Sequence, residues 1–250
     1  MVELSIPSMG PVINTGRRGT MFWNFLLPNK LVTKYASDYN GAIEVRTEFG
    51  RPRVVVKGIP QSGGIVQDIL KKGVDEFVKP KNFLLLGLGG GAILHEVRKR
   101  WPECKITAVD IDPVMIEVAR KYFRVDEIEN LEIVNDDAVG FVFNTSNDQM
   151  NKRSKKFYEN TKLQNNEITK FDAILVDCYV GDQVPDKLES LEFLRNLQML
   201  LSEGGKIVFN RIVSPKEAYL STQNFIGKLG LVYDNVMTKK AYSNMLITVF

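Results

Sequence analysis

From residue 81 onward, short apolar runs alternate with amphipathic stretches, and this alternation constrains the fold more than any other feature of the chain. Phe83-Leu-Leu-Leu-Gly87 is continuously apolar, as a strand buried on both faces must be. Helical spacing follows over Ala92 to Trp101, stopped by Pro102. Lys105 to Asp110 reads as a second strand. Pro113 to Tyr122 reads as a helix with proline in its first turn, where a missing N–H costs nothing. Leu131 to Val134, Phe171 to Val176 and Lys206 to Ile212 give three more strands. Asp137 to Phe143, Lys187 to Leu201 and Pro215 to Leu229 supply the helices among them, with Gly204-Gly205 closing the second of these. Leu231 to Val236 and Met245 to Phe250 read as a closing antiparallel pair. Units in this order predict an α/β fold: a doubly wound, mostly parallel seven-stranded sheet with helices on both faces.

Upstream the pattern differs. Residues 1 to about 37 carry Pro7, Gly10, Pro11, Gly16, Gly19 and Pro28 and read as irregular. The aromatic run Met21 to Phe25 suits either core or a dimer contact. Ala42 to Thr47 and Arg53 to Lys57, joined through Gly50, read as a β-hairpin, and Gly63 to Val78 as a helix. The expected division is an amino-terminal segment, 1–62, bearing the hairpin, and the α/β domain, 63–250. A chain of 250 residues suits one α/β core with a small added module.

Composition excludes several classes. With 44% apolar and 25% charged residues the chain is not disordered. It has no run of roughly 20 apolar residues, so no membrane partner is expected. The start MVELSIPSMG lacks a basic region followed by an apolar core, so no secretory signal is expected. Two cysteines, Cys104 and Cys178, cannot build a disulfide framework and fit a reducing cytoplasm. No Cys/His cluster has metal-ligand spacing, so no metal is expected. The net charge of +3 arises in the polar stretch 151–170, where Lys152, Arg153, Lys155, Lys156, Lys162 and Lys170 outnumber Glu159 and Glu167. That stretch reads as a solvated loop rather than a nucleic-acid surface.

In a doubly wound sheet, ligands collect outside the carboxyl ends of the strands, and four successive ends here carry an acid or a glycine. The first opens through Gly87-Leu-Gly89-Gly90-Gly91 directly into a helix, which permits a tight turn and close backbone approach by a ligand. The second ends in Asp110-Ile-Asp112, where Asp110 can accept from a ribose diol and Asp112 can cap the next helix. A dinucleotide site looks similar up to this point. The third is followed by Asn135-Asp136-Asp137-Ala138, whose acids also suit a helix cap. The fourth is followed by Asp177-Cys178-Tyr179 and then Asp182. Asp182 and Asp186 read first as capping or solvated residues. Asp177 follows Ala-Ile-Leu-Val and needs a partner if poorly solvated. His95, the single histidine, is expected on the surface.

Taken together, LLLGLGGGAILHEV, VDIDPVMIEVARKYF, NDDAVGFV and FDAILVDCYVGD resemble the spermidine synthase family, aminopropyltransferases on the fold of S-adenosylmethionine-dependent methyltransferases. The resemblance covers about residues 38 to 212. It includes Tyr39-Asn-Gly-Ala-Ile and the run from Arg53 to Gln61, which are similar to the family's amino-terminal hairpin and the glutamine after it. It implies that Gly87, Gly89 and Gly91 pass beneath the methionine-derived part of a nucleoside. Asp110, where relatives have Glu, would hold the ribose hydroxyls. Asp137 would accept from the adenine amino group beside Ala138, and Gln61 would reach the nucleoside from the amino-terminal module. Asp177 matches the first Asp of the family's D-S-S-D stretch, which orients the attacking amine and takes its proton. Tyr179 and Asp182 complete the expected amine side.

The departures from the family pattern are specific. Gly90 stands where G-G-G-D-G-G has its Asp, Val180 where D-S-S-D has its second, and Val66-Gln67-Asp68 at the family's Y-H-E. Carboxylates that attract cationic amines are thereby lost. The resemblance implies no permanently bound cofactor, decarboxylated S-adenosylmethionine or S-adenosylmethionine as co-substrate, a small-molecule amine acceptor and a homodimer. Aminopropyl transfer is the expected activity. Methyl transfer and non-catalytic nucleoside binding are the alternatives. A nicotinamide enzyme accounts for the glycines and Asp110 but not for Asp137 or Asp177.

Overall fold

The computed structural model describes residues 29–147, 170–181 and 183–250. Its amino-terminal part is an antiparallel sheet of four strands, β1 (Lys30–Ser37), β2 (Gly41–Glu48), β3 (Arg51–Val56) and β4 (Ile59–Ser62), in that spatial order. The expected hairpin is β2–β3, with Val45 opposite Val54. The stretch before residue 37, expected to be irregular, is strand from Lys30 onward. The less exposed positions of β1 are Thr33, Tyr35 and Ser37, so its alternation is largely polar and carries little apolar signal. Pro60 sits on the outer strand β4, where a missing N–H is tolerated.

The chain continues as α1 (Gly64–Val74), β5 (Asn82–Leu86), α2 (Ala92–Arg100), β6 (Lys105–Asp110), α3 (Pro113–Phe123), β7 (Leu131–Asn135), α4 (Ala138–Ser146), β8 (Phe171–Val176), α5 (Leu191–Met199), β9 (Leu201–Ile212), α6 (Lys216–Leu229), β10 (Val236–Ala241) and β11 (Asn244–Val249). Seven strands form one sheet in the order β10-β11-β9-β8-β5-β6-β7. The pairs β5–β6, β6–β7, β5–β8 and β8–β9 are parallel. Only β11, against β9 and β10, is antiparallel. This is the expected doubly wound α/β sheet.

The apolar run in β5 explains itself in this setting. Phe83 and Leu85 face one core, with Val74, Leu94, Val97 and Val118. Leu84 and Leu86 face the other, with Val142, Leu194, Leu197 and Phe225. Both faces are covered, so no position in the run tolerates a polar side chain. Each of these leucines contributes roughly 1.5–3 kcal/mol by burial. Ile43, Val45, Val54 and Val56 of the small sheet join the first core.

Three expectations need correction. The helix expected over Lys187–Leu201 is a 3-10 turn, Asp186–Glu189, followed by α5. Ser190 separates them by accepting the Phe193 N–H on its hydroxyl (3.1 Å), an N-cap. Gly204 and Gly205 do not close that helix. They lie inside β9, where a shift in its pairing with β8 between Phe171 and Ala173 absorbs the extra residues. The penultimate strand is Val236–Ala241 rather than Leu231–Val236. Leu231 is exposed, and β10 carries Lys239 and Lys240 on the sheet edge, a composition that blocks edge pairing and hides the apolar alternation. The stretch 151–169, the run Met21 to Phe25 and Asp182 fall outside the described residues. Cys104 and Cys178 are unpaired. Among the described residues, no helix is long and apolar enough to cross a membrane, and no group of three His, Cys, Asp or Glu could hold a metal ion.

Candidate active site

The strand order reverses at β5, with β6 on one side and β8 on the other, and the cleft lies where the three strands end. The ends are held tightly together. Asp177 N–H donates to the Leu86 carbonyl (2.8 Å), and Gly87 N–H to the Val109 carbonyl (2.9 Å). A Cβ on Gly87 would lie 2.3 Å from the Asp177 carbonyl oxygen, and the residue has φ +89°, so only glycine fits.

Asp110 holds the glycine loop in place. Its Oδ2 accepts from the backbone N–H groups of Leu88 (2.9 Å) and Gly89 (3.2 Å), and its Oδ1 from that of Asp112 (2.9 Å). Burial raises the pKa of this carboxyl, and the same three donors pull it back. It still lines the cleft, as a ribose acceptor must.

Asp112 does different work. It is fully buried and caps α3 through the N–H groups of Val114 (2.9 Å) and Met115 (3.4 Å). Its Oδ2 also accepts from Ser37 Oγ (2.5 Å) and Asn40 Nδ2 (2.6 Å). These bonds seat the β1–β2 turn over the cleft, so that Tyr39 and Asn40 line it. Sequence reasoning did not place those two residues in the site; the available signal was the Tyr39-Asn-Gly turn.

On the far side, Asp137 caps α4 by accepting the Val139 N–H (3.4 Å), and both it and Ala138 line the cleft. Capping and lining are therefore compatible roles for this acid. Asp136 Oδ1 accepts the Asp137 N–H (2.8 Å), and burial raises the Asp136 pKa. Gln61, the third residue of β4, donates from Nε2 to the Gly181 carbonyl (3.1 Å), which joins the small sheet to the loop after β8.

Asp177 stands at the end of β8. Its Oδ1 accepts from Asn210 Nδ2 of β9 (2.8 Å). Burial pushes its pKa up to about 7, the Asn210 amide pulls it down, and the negative charge of Asp110 adds to the rise. Cys178 beside it is raised far above the usual thiol range, by burial first and then by the charges of Asp110, Asp177 and Asp137. The Tyr179 ring lines the cleft, but its hydroxyl is engaged in β9: it donates to the Asn210 carbonyl (2.9 Å) and accepts from the Ile212 N–H (2.8 Å). Tyr179 can thus meet a ligand with its ring, while its hydroxyl fixes the loop.

The cleft therefore brings together Gln61, Gly87, Gly89, Asp110, Asp137, Ala138, Asp177 and Tyr179, with apolar surface from Ile111, Met115 and Leu188. Gly91 stands behind the cleft as the N-cap of α2 and does not line it. Gly90 is closed off. A Cβ there would lie 2.6 Å from the Phe123 ring and 2.7 Å from Ser62 Oγ. His95 is exposed, as expected, with Nε2 2.6 Å from the Phe123 carbonyl, and does not line the cleft. Chemically, a glycine turn flanked by two acids can receive a nucleoside, and a carboxylate titrating near neutrality can take a proton.

Residues 66–245 match the family model described as the spermine/spermidine synthase domain. The polyamine aminopropyltransferase of Vibrio vulnificus (strain CMCP6) is 29% identical over 138 residues, which cover 55% of this chain and 40% of that protein. The eEF1A lysine and N-terminal methyltransferase homolog of Drosophila melanogaster is 25% identical over 155 residues, covering 60% of this chain and 20% of that protein. The chain thus spans less than half the length of either relative. A crystal structure of spermidine synthase in complex with the transition state analogue AdoDATO superposes with a TM-score of 0.58 at 16% identity, covering 88% of this chain and 71% of that one. At that identity the likeness is one of fold. The matched domain runs from α1 into β11 and so takes in the glycine loop, Asp110, Asp137 and Asp177; by that match the chain belongs to the spermine/spermidine synthase domain family.

Proposed function

We propose that the protein is a transferase that moves an aminopropyl group from decarboxylated S-adenosylmethionine to a small-molecule amine. The observation that carries this reading is Asp177, a half-buried carboxyl brought to about pH 7 at the end of β8, beside the glycine loop. In the reaction, a neutral amine attacks the methylene next to the sulfonium. The new C–N bond forms as the C–S bond breaks, methylthioadenosine departs as a neutral thioether, and the ammonium proton passes to Asp177. The protein supplies position and a base.

In this reading Asp110 accepts from the ribose hydroxyls, Asp137 from the adenine amino group beside Ala138, and Gln61 closes the nucleoside from above. Gly87 and Gly89 pass beneath it, with Gly91 starting the helix behind them. Tyr179 offers its ring to the amine, and Asp182 is assigned to the same side on family resemblance. No resident cofactor or metal is required, and the donor is a co-substrate. A homodimer in a reducing cytoplasm, without nucleic-acid or membrane partners, completes the proposal.

A second reading, methyl transfer from S-adenosylmethionine, is favoured by Gly90. The family's carboxylate at that position would repel the carboxylate of the intact donor, and here Phe123 and Ser62 fill its space. The Drosophila relative's name lies on that side.

The deciding experiment incubates the protein with each donor and a panel of putrescine, cadaverine, agmatine and norspermidine, then quantifies the nucleoside product. Methylthioadenosine formed from the decarboxylated donor, with turnover lower by roughly 10²–10⁴-fold in Asp177→Asn, supports aminopropyl transfer. S-adenosylhomocysteine formed from the intact donor replaces it with the second reading. Nucleoside binding without consumption of either donor sinks both.

A further inference from the structure

The Asp177 carboxylate is the end of a polar chain that begins at the exposed turn of the terminal hairpin and runs through two buried amides. Ser243 Oγ donates to Asn244 Oδ1 (3.0 Å), Asn244 Nδ2 donates to Asn210 Oδ1 (2.8 Å), and Asn210 Nδ2 donates to Asp177 Oδ1 (2.8 Å). Asn210 and Asn244 are only 5% and 6% exposed, so neither amide finds a ready substitute in water. Asn210 is fixed by β9, and Asn244 begins β11, the antiparallel neighbour of β9. Neither residue lines the cleft. No role in the transfer reaction accounts for two buried amides in adjacent strands pointing one way along a chain.

The direction of the chain matters. An amide has a donating end and an accepting end, and Asn244 occupies the accepting end of Asn210. Asn210 can therefore present only N–H to Asp177. An N–H matches an ionised carboxylate and disfavours a proton on the oxygen it touches. Among the described residues no donor reaches Asp177 Oδ2. The two carboxylate oxygens are thus unequal: Oδ1 is held, and Oδ2 is open.

We propose that Asn210, itself oriented by Asn244, is a positioning residue that ties Asp177 Oδ1 to the sheet and leaves Oδ2 as the atom that takes the proton of the attacking amine. This rests on the transfer reading for its function, but not for its geometry. The charged and titratable groups around Asp177 are Asp110 from the end of β6, Cys178 and Tyr179 on its own loop, Asp137 at the head of α4 beyond Cys178, and Arg211 of β9 on the far side of Tyr179. Asn210 supplies the neutral donor that opposes the burial of Asp177 and the charge of Asp110.

Two variants test this, Asn210→Leu and the double variant Asn210→Leu/Asn244→Leu. The double variant removes both buried amides together and so leaves no orphaned donor between them, which preserves folding where the single change does not. Asp177 is followed in two ways. One is its carboxyl titration by 13C NMR on Asp-labelled protein without substrates, assigned by difference with Asp177→Asn. The other is the pH profile of kcat/KM. With the donor gone, the titration and the acidic limb should both move upward by about one pH unit, with activity recovering at high pH. Folded variants whose Asp177 titrates as in the wild type, or whose activity falls equally at every pH, overturn the assignment. Because the titration needs no substrate, it decides this point even if no amine is ever consumed, so failure of the transfer reading and failure of this inference are told apart.

Discussion

Replacing Asp112 should cost the protein more stability than its place outside the cleft lining suggests. The carboxylate is fully buried and accepts four hydrogen bonds, from Val114 and Met115 N–H, Ser37 Oγ and Asn40 Nδ2. In Asp112→Ala, loss of the α3 cap costs about 1 kcal/mol. Each side-chain donor loses a bond to a charged group, worth about 1.5–3 kcal/mol, offset by release from the cost of burying the carboxylate. A net loss of roughly 2–4 kcal/mol follows, which lowers Tm by about 4–16 °C in a chain of this size. Asp112→Asn keeps a good cap but presents its amide to one of the two donors, so it should lose roughly half as much. Thermal melting followed by circular dichroism measures both variants. A double-mutant cycle with Ser37→Ala should show coupling of at least about 0.5 kcal/mol between the two residues. Asp112→Ala that melts within about 1 °C of the wild type, or a cycle without coupling, would refute the claim that this side chain ties the β1–β2 turn to the sheet.

Two further outcomes follow from the glycine loop. Asp110→Ala removes the acceptor of three backbone N–H groups and, in the proposed reading, of the ribose hydroxyls, so methylthioadenosine affinity by calorimetry should fall at least about tenfold. Affinity equal to the wild type would take Asp110 out of the nucleoside contact. Gly90→Asp should not rebuild the family's amine-binding carboxylate, because its Cβ meets the Phe123 ring and Ser62 instead of the cleft. Overpacking of this kind costs about 1–3 kcal/mol before any charge is buried. A stable Gly90→Asp protein that binds the decarboxylated donor more tightly would show that the space is open.

The parallel sheet was legible because its strands are covered on both faces. Leu84, Leu85 and Leu86 leave a contiguous apolar signature that no surface strand leaves. The strand-end acids were legible for the complementary reason, since an acid directly after such a run has few places to be. What escaped was structure whose stabilising partners lie far away in sequence. In β1, Thr33, Tyr35 and Ser37 point inward, and two of those side chains bond to Tyr122 of α3 and to its cap Asp112. β10 is a lysine-bearing edge, and edges are selected against the pattern that marks a strand. Tyr39 and Asn40 reached the site only because Asp112 pulls their turn across it, over more than seventy residues of sequence. Asn210 sits within a run read correctly as a strand, yet nothing local shows that its amide faces Asp177.

The way Asp112 and Gln61 hold the small sheet over the cleft also sets the entropy of ligand capture. The turn carrying Tyr39 and Asn40 is tied to the head of α3, and the end of β4 to the loop after β8, by bonds made within the protein itself. Ordering a backbone residue costs roughly 1–2 kcal/mol, and for this roof that loss falls on the folding step. A ligand entering the cleft therefore meets walls already in place, and more of each contact it makes is expressed as affinity.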